Sequence, residues 1–428
     1  MRHAAAVAFA ALALSSCADD GSSVAGPGGA AAGASGGVGG SAGSAGGSAG
    51  SGGGSAGAAG VSGTCVESTP SLGRVGPTFE VPTLAETAPK RNPDIAHDSV
   101  HDVYLLVTGA EVISGTFLDP DGQSLAPPFA IAQTTEYTQT PRVAYGAGKL
   151  LVAWHDNRGS IMPELRARLV SWDGSAPDLQ APDFFVGAPS YQEMGPAMAY
   201  SETSELFLVV WHSTPDDDLR ARRIDTTGAL IGAEIQITND PDWQSGAAAA
   251  WNSVRDEFLV TYTHAGSDGA AVRSQRIRAS DGSFVGGEIE LGTAAGTWTT
   301  QAAYLPCEDR YLVGWVADGA LGLRVSAIGE ADGAPFAFPS GYGYPDGFAL
   351  TYHPATNTLA TVMHGQTNEN YGVAFLASGE QSAVLEATES TGDVGHFNPR
   401  ITANRLRNEW LMVTSRGFQT IVAQRLGP

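Results

Sequence analysis

The sequence predicts an all-β fold in which seven four-stranded antiparallel sheets form a closed ring. Three observations support this prediction: a strand-and-turn pattern that recurs seven times, apolar runs of strand length in each copy, and no sustained helical periodicity. The chain has 428 residues, of which 43% are apolar. This length is sufficient for one large β domain or for two ordinary domains.

The first element of each repeat is a short strand that ends in a small residue followed by an aromatic or polar residue. The copies lie at 93–97, 141–145, 196–200, 248–251, 301–304, 349–352 and 399–403. Counted from Ala96, the equivalent positions are separated by 48, 55, 51, 53, 48 and 51 residues. Spacing of this regularity predicts one structural unit per repeat.

The second element of each repeat is a continuous apolar run. The copies lie at 104–107, 150–154, 207–211, 258–262, 311–315, 359–363 and 410–413. Because these runs lack polar alternation, we expect strands that are buried on both faces. A third strand follows and ends in a glycine turn such as Asp173-Gly174, and a shorter fourth strand completes the unit.

The two ends of the repeat array complement each other. The seventh repeat stops at its third strand, 421–426, whereas a spare strand-like piece at 77–81 precedes the first repeat. If this piece is the fourth strand of the last unit, the ring closes and no sheet edge is left exposed. The sequence therefore predicts a seven-bladed β-propeller over 64–428, in which an N-terminal strand completes the last blade.

The N-terminus has the features of an export signal. Arg2 and His3 precede an apolar run from 4 to 14, which is too short to span a bilayer and has the length of a signal-peptide core. We therefore expect residues 1–16 to be a signal peptide. The following Ser15-Ser16-Cys17 resembles a bacterial lipobox, which implies a lipid on Cys17. The alternative is an ordinary secretory signal that is cleaved near Ser16.

A low-complexity segment follows the signal. Residues 21–63 contain 19 Gly, 11 Ala and 9 Ser, with no aromatic or charged residue. Such a segment buries too little apolar area to offset its chain entropy, so we predict a disordered linker over 17–63. With 23 basic and 45 acidic residues, the chain has a formal charge of −22, which argues against a nucleic-acid partner.

The repeat motifs resemble those of a known group of exported proteins. The Pro-x-x-Ala-Tyr, Leu-Val-x-Trp and Arg-x-x-x-x-Gly elements are similar to repeats of secreted β-propeller lipoproteins from bacteria with large, GC-rich genomes. The resemblance covers about residues 77–428. It implies a propeller fold and a cell-envelope location, with the membrane contacted through the N-terminal lipid only, and it brings no catalytic motif.

The connections between repeats carry a series of aromatic residues. Six of the seven junctions have one: Tyr137, Tyr191, Trp243, Trp298, Tyr344 and Phe397. These connections share one face of a propeller with the loops that follow the second strands. Aromatic rings beside polar neighbours suit the stacking of a sugar or a peptide, so we predict a ligand-binding surface here. The alternative is that each ring packs between adjacent blades.

Histidines and acids on the same face are candidates for metal binding and catalysis. Histidines follow the second strand at His155, His212, His264 and His364. Their spacing matches no metal-ligand motif, and Asp216-Asp217-Asp218 lacks the spacing of a calcium loop. No Gly-x-Ser-x-Gly element is present. We therefore predict no catalytic residue, no metal site and no cofactor.

Two cysteines remain if Cys17 carries the lipid. Cys65 and Cys307 are free to form a disulfide in an exported protein, and two unpaired thiols are the alternative. The sequence thus predicts a monomeric binding module for glycans, peptides or envelope proteins. One alternative is a polysaccharide hydrolase or lyase, which would need acids from different blades roughly 5–10 Å apart. Another is a purely structural surface protein.

Overall fold

The computed structural model describes residues 69–84, 91–133, 139–156, 163–187, 195–213, 216–266, 269–294, 299–316, 320–337, 348–365, 369–376, 378–388 and 395–428. All of them belong to one compact unit, Gly57–Pro428. The predicted signal peptide, Cys17 and the predicted linker lie outside the described residues. Within the described ranges, no helix is long and apolar enough to cross a membrane.

Every regular element in these ranges is a β-strand, and the 28 strands form seven antiparallel sheets of four strands each. The first strand of the chain is β1 (Gly73–Val81). Blade 1 contains β2 (Arg91–Asp98), β3 (Val103–Gly109), β4 (Val112–Leu118) and β5 (Phe129–Gln133). Blade 2 contains β6 (Gln139–Gly146), β7 (Lys149–Asp156), β8 (Glu164–Trp172) and β9 (Pro177–Gly187).

The next three blades repeat this order. Blade 3 contains β10 (Ala197–Ser201), β11 (Leu206–Ser213), β12 (Asp218–Asp225) and β13 (Leu230–Gln236). Blade 4 contains β14 (Trp243–Asn252), β15 (Glu257–Gly266), β16 (Gly269–Arg278) and β17 (Phe284–Thr293). Blade 5 contains β18 (Thr300–Leu305), β19 (Arg310–Val316), β20 (Ala320–Ser326) and β21 (Phe336–Ala337).

The last two blades complete the ring. Blade 6 contains β22 (Phe348–His353), β23 (Thr358–His364), β24 (Asn370–Phe375) and β25 (Leu385–Glu386). Blade 7 contains β26 (His396–Asn404), β27 (Glu409–Arg416) and β28 (Thr420–Gly427), and β1 is its fourth strand. The first strands contact one another in the order β2-β6-β10-β14-β18-β22-β26 and back to β2, so they form the innermost ring.

The ring closes where the two ends of the domain pair. β1 runs antiparallel to β28, with Gly73 opposite Gly427 and Val81 opposite Ile421. Phe79 lies opposite Ala423, as the spare strand at 77–81 predicts, although the strand begins earlier, at Gly73. The predicted seven-bladed propeller, closed by an N-terminal strand, is confirmed.

Seven apolar core clusters lie between neighbouring blades, one for each junction of the ring. The second strand of blade 1 shows how one strand serves two junctions. Leu105 and Val107 pack toward blade 2, whereas Tyr104 and Leu106 pack toward blade 7. This two-sided packing explains why the second strands are continuous apolar runs, as the sequence predicts.

The tryptophan of the Leu-Val-x-Trp motif packs against the preceding blade. Trp211 belongs to the core between blades 2 and 3 and is 1% exposed. A Cβ added to Gly187, in the fourth strand of blade 2, would lie 2.2 Å from Cζ2 of Trp211. The indole therefore lies directly on the backbone of the neighbouring sheet, and only glycine leaves room for it.

The turns between first and second strands form a polar belt on one face, which we call the lower face. In four blades, the turn carries an acid or amide with a left-handed φ, five residues after a ring that hydrogen-bonds to it. The pairs are His97 with Asp102, Trp251 with Asp256, Tyr304 with Asp309, and Tyr352 with Asn357. Three of the four are acids, and each acid also accepts a hydrogen bond from the preceding blade: Asp102 from Asn404, Asp256 from Ser201, and Asp309 from Asn252.

Ring closure predicts that neighbouring residues of β1 differ in their contribution to stability. Val81 is 4% exposed in the core between blades 7 and 1, whereas the Glu80 side chain is 62% exposed. We expect Val81→Ala to lower the free energy of unfolding by about 2 kcal/mol. Glu80→Ala, which removes a surface ion pair with Arg416, should cost less than about 1 kcal/mol. Urea denaturation measures both, and equal small losses would contradict a closure role for β1.

Candidate functional site

The loops between second and third strands and those between blades share the opposite face, which we call the upper face. Trp243 and Phe397 are the described members of the predicted aromatic series. Tyr137, Tyr191, Trp298 and Tyr344 lie outside the described residues. The sequence predicts all six in loops, but Trp243 begins β14 and Phe397 is the second residue of β26.

A repeated β-bulge explains this correction. The pairing of first and second strands is interrupted in four blades, at a residue with φ between 53° and 59°. These residues are Asn92, Thr140, Gly246 and Asn398. Because the bulge adds residues without ending the pairing, the first strand continues outward beyond the predicted motif. The aromatic residues therefore stand on paired strands, which hold them more rigidly than loops would.

Each of the two described aromatics contacts the histidine at the end of the preceding blade's second strand. The ring centroids of Trp243 and His212 are 4.7 Å apart, and those of Phe397 and His364 are 5.1 Å apart. Phe397 also stacks on Phe418, with centroids 4.3 Å apart and an interplanar angle of 10°. At both junctions, a residue of the aromatic series thus contacts a residue of the histidine series across two blades. For Phe397, this favours packing between blades over ligand binding. Ligand binding by the series stays a prediction.

The junction of blades 3 and 4 also gathers acids and a buried histidine. Ligand-type atoms of Asp240, Asp242 and His264 lie within 4.8 Å of one another, and Oδ2 of Asp242 is 3.5 Å from Nε2 of His264. A Cβ on Gly266 would lie 2.3 Å from this Oδ2 atom, so glycine makes room for the carboxylate. Sequence reasoning identified His264 but missed the two aspartates, whose signal is the Asp-Pro-Asp directly before Trp243.

The hydrogen bonds of Gln244 decide the tautomer of His264. The Gln244 amide nitrogen donates to the backbone carbonyl of Asp242 (2.5 Å), and its oxygen lies 3.1 Å from Thr238 Oγ1. The same amide nitrogen is 3.3 Å from Nδ1 of His264, so Nδ1 accepts and Nε2 carries the proton. These residue types could hold a divalent ion. With this tautomer, however, Nε2 carries a hydrogen, so the ring nitrogen 3.5 Å from Asp242 has no free lone pair for an ion.

The three consecutive acids of blade 3 face three different partners. Asp216 forms an ion pair with Arg220, and Asp217 lies 3.7 Å from Nε2 of His212. Asp218 is 2% exposed and accepts hydrogen bonds from Thr238 and other groups of the next connection. These carboxylates do not converge as in a calcium loop. The side chain of Asp217 is 45% exposed, near the His212 ring that packs on Trp243.

The lower face holds a cavity of about 220 Å³ that the sequence did not indicate. Its lining combines residues of blades 1, 2, 3 and 7: Ser99, Tyr145, Gly146, Ala147, Tyr200, Glu202, Glu205 and Arg405. Arg405 pairs with Glu202 at 3.1 Å, and burial raises the pKa of Tyr200 to about 12, so its hydroxyl stays protonated. Tyr145 and Tyr200 also belong to the first-strand motif of the repeat. The sequence alone therefore could not show whether they pack between blades or line a pocket.

Cys307 lies in the turn after β18 and is disulfide-bonded. Its partner lies outside the described residues. Pairing with Cys65 therefore stays a prediction, as does lipidation of Cys17.

A buried histidine at the start of β26 lacks hydrogen-bond partners. His396 is 1% exposed, and neither ring nitrogen has a partner among the described residues. Burial, with the charge of Arg416 adding to it, lowers the pKa of His396 to about 4. Burial also lowers the pKa values of His97, His212 and His353. The folded protein thus holds these rings neutral below the pH at which an unfolded chain would protonate them.

The lowered pKa of His396 predicts that the protein becomes less stable as the pH falls. Between about pH 6.5 and pH 4, unfolded His396 binds a proton that the folded form does not, so the free energy of unfolding falls as pH falls. We expect His396→Asn to reduce this slope by up to about 1.4 kcal/mol per pH unit. Urea denaturation of both proteins from pH 7.5 to pH 5 measures it. A loss of packing in His396→Asn would lower the free energy of unfolding equally at every pH and would not change its slope against pH. Identical slopes for the two proteins would contradict the prediction.

No protein family model matches the chain, and no curated protein is similar to it. Among solved structures, Raptor from Chaetomium thermophilum is similar with a TM-score of 0.56 and 10% identity, over 84% of this chain and 29% of that chain. The propeller of Dos1 has a TM-score of 0.49 and 10% identity, over 78% of this chain and 76% of that chain. This chain spans less than a third of the Raptor chain.

At 10% identity, these similarities concern the fold alone. The chain is a seven-bladed β-propeller built from repeats, with its loops gathered on two faces. Such a rigid scaffold supports a binding or interaction module, because loops held by a fixed frame can present recognition groups in one geometry.

Proposed function

We propose that this protein is a glycan-binding module of the cell envelope, tethered by a lipid on Cys17. The binding surface is the upper face at the junction of blades 3 and 4. The observation that carries the proposal is a junction that holds the Trp243 ring, packed on His212, and two partly exposed carboxylates, Asp217 near His212 and Asp242 near His264.

The residue types at this junction match the chemistry of a sugar. An indole ring offers an apolar face for the C–H groups of a pyranose, and carboxylates accept hydrogen bonds from its hydroxyls. The side chain of Asp217 is 45% exposed and that of Asp242 is 40% exposed, so both remain in contact with solvent. A junction that combines a partly exposed aromatic ring with two such acceptors suits a hydroxyl-rich ligand better than an apolar one.

The groups behind this surface are held in place before a ligand arrives. His212 lies against Trp243, and His264 lies behind Asp242, both nearly fully buried. Gln244 is completely buried and connects His264 to the backbone of Asp242. A preorganised surface loses little conformational entropy on binding, which favours affinity.

Binding is a better fit than glycoside hydrolysis at this junction. Asp240 and Asp242 approach each other closely, but they come from the single connection between blades 3 and 4. Acid–base chemistry on a glycosidic bond needs two carboxylates placed on either side of it. A pair that lies two residues apart in one segment presents both acids from the same side, which favours recognition of hydroxyls.

The proposal predicts that Trp243→Ala weakens glycan binding by at least about tenfold, because stacking on an aromatic ring is lost. Phe397→Ala is the matched control. It removes the equivalent ring of blade 7, one face of which is covered by Phe418. A glycan array with the purified wild-type protein identifies the ligand, and calorimetry with that ligand compares the variants.

Asp242→Asn provides a second variant that keeps the size of the side chain and removes its charge. We expect it to weaken binding while the thermal unfolding midpoint stays near that of the wild type. If the glycan binds Trp243→Ala and Asp242→Asn as tightly as it binds the wild type, the ligand is not held at this junction. If the protein binds a peptide or an envelope protein and no glycan, the proposal that its ligand is a glycan is wrong.

The tether is supported by the sequence around Cys17 and by the linker that follows it. We expect the wild-type protein, expressed in a bacterium with lipoprotein processing, to incorporate labelled fatty acid and to fractionate with membranes. Cys17→Ser should abolish the label and release the protein into the soluble extracytoplasmic fraction. Cys65→Ser is the control for a general cysteine effect and should keep the label. A wild-type protein without label would indicate an ordinary secretory signal.

A further inference from the structure

The inner ring of first strands carries charge on one side only. Seven equivalent positions pair with the fourth residue of the apolar run on the second strand: Asp94, Arg142, Ala197, Ala248, Gln301, Ala349 and Arg400. The three charged residues stand on the adjacent blades 7, 1 and 2, and the other four are uncharged. Two arginines therefore share one aspartate at the centre of the molecule.

The two arginines have the same arrangement. Arg142 Nη1 donates to the carbonyl of Pro141 (3.2 Å), and Arg400 Nη1 donates to the carbonyl of Pro399 (3.0 Å). A Cβ on Gly195 would lie 3.0 Å from Cζ of Arg142, so the absence of a side chain there makes room for the guanidinium. Equivalent contacts thus position two planar groups of N–H donors on neighbouring parts of the ring.

Asp94 only partly compensates this charge. Its Oδ2 accepts the backbone N–H of Val143 (2.9 Å), and its Oδ1 is 3.9 Å from Nε of Arg400, beyond hydrogen-bond distance. The side chains of Asp94 and Arg400 are only 14% and 15% exposed. Each guanidinium donates a hydrogen bond to the carbonyl of the preceding proline, and neither donates one to Asp94 within the described residues. Burial lowers the pKa values of Arg142 and Arg400, which reflects the cost of holding these charges away from bulk water.

We propose that the inner ring at blades 7, 1 and 2 is a binding site for a small oxyanion, held between Arg142 and Arg400. The ligand class is a carboxylate or a phosphate-type anion, because the guanidinium fork matches two oxygens of either group. One anion would balance the excess of two guanidiniums over one carboxylate. The site stands apart from the upper-face junction and does not depend on the glycan proposal.

The experiment is calorimetric titration of the purified full chain with sodium phosphate, sodium sulfate and sodium succinate, at one ionic strength maintained with sodium chloride. We expect at least one anion to bind the wild type, and Arg142→Gln or Arg400→Gln to weaken it by about tenfold or more. The choice among the three anions distinguishes a carboxylate site from a phosphate or sulfate site.

Asp94→Asn is the more informative variant. It removes the carboxylate that competes with the anion for the two arginines, and it keeps a carbonyl oxygen for the N–H of Val143. We expect it to tighten anion binding by about three- to tenfold, a gain that misfolding would not produce. Arg273→Gln is the matched control, since Arg273 pairs with Glu288 away from the inner ring and its loss should leave the affinity unchanged. Trp243→Ala should likewise leave it unchanged.

Two outcomes would overturn the proposal. Either none of the three anions binds the wild type, or the bound anion has the same affinity for Asp94→Asn and for both arginine variants as for the wild type. In the second case the anion binds elsewhere on the protein.

Discussion

The antiparallel pairing of β1 with β28 is the interaction on which the rest of this structure depends. It supplies blade 7 with its fourth strand and places the apolar side chains of β1 in the core between blades 7 and 1. Each blade is buried on both faces only if the ring is complete, so the last junction affects all the others. An open array would expose the apolar face of a terminal blade and a row of unpaired backbone groups.

A closed ring also determines what its centre and its faces can do. The first strands converge on a small space, so a charged residue on any of them is held close to its counterparts on neighbouring blades. Elsewhere such side chains would be surface groups in water, with weak interactions. At the centre they are largely shielded, and an imbalance such as that of Asp94 with two arginines becomes a strong requirement for a counter-ion.

The upper face shows how repeat packing and recognition can share residues. The contact between a second-strand histidine and the next blade's aromatic residue recurs at two junctions, with different surroundings. At blade 7, Phe418 covers the ring of Phe397. At blade 4, Asp217 lies near His212 and Asp242 lies near His264, so the same packing unit has partly exposed carboxylates in its surroundings. Variation around a constant contact is how a repeat protein acquires one specialised junction.

Much of the fold follows from the sequence because its signals are local and repeated. The apolar run 207–211 predicts a strand buried on both faces, and the spare piece around Phe79 predicts closure. The bulges could not be predicted, since three different residue types occupy them (Asn92 and Asn398, Thr140, Gly246), and their left-handed backbone depends on strand pairing. They move Trp243 and Phe397 from the expected loops onto strands.

The amino-acid sequence by itself determined the number of blades, the order of strands and the closing strand, because hydrophobic periodicity and turn residues act over short stretches of chain. Only the tertiary structure decided which polar residues meet. Asp242 and His264 belong to consecutive segments whose contact depends on how blade 4 joins blade 3. Asp94 and Arg400 are about 300 residues apart and meet only through the closure of the ring.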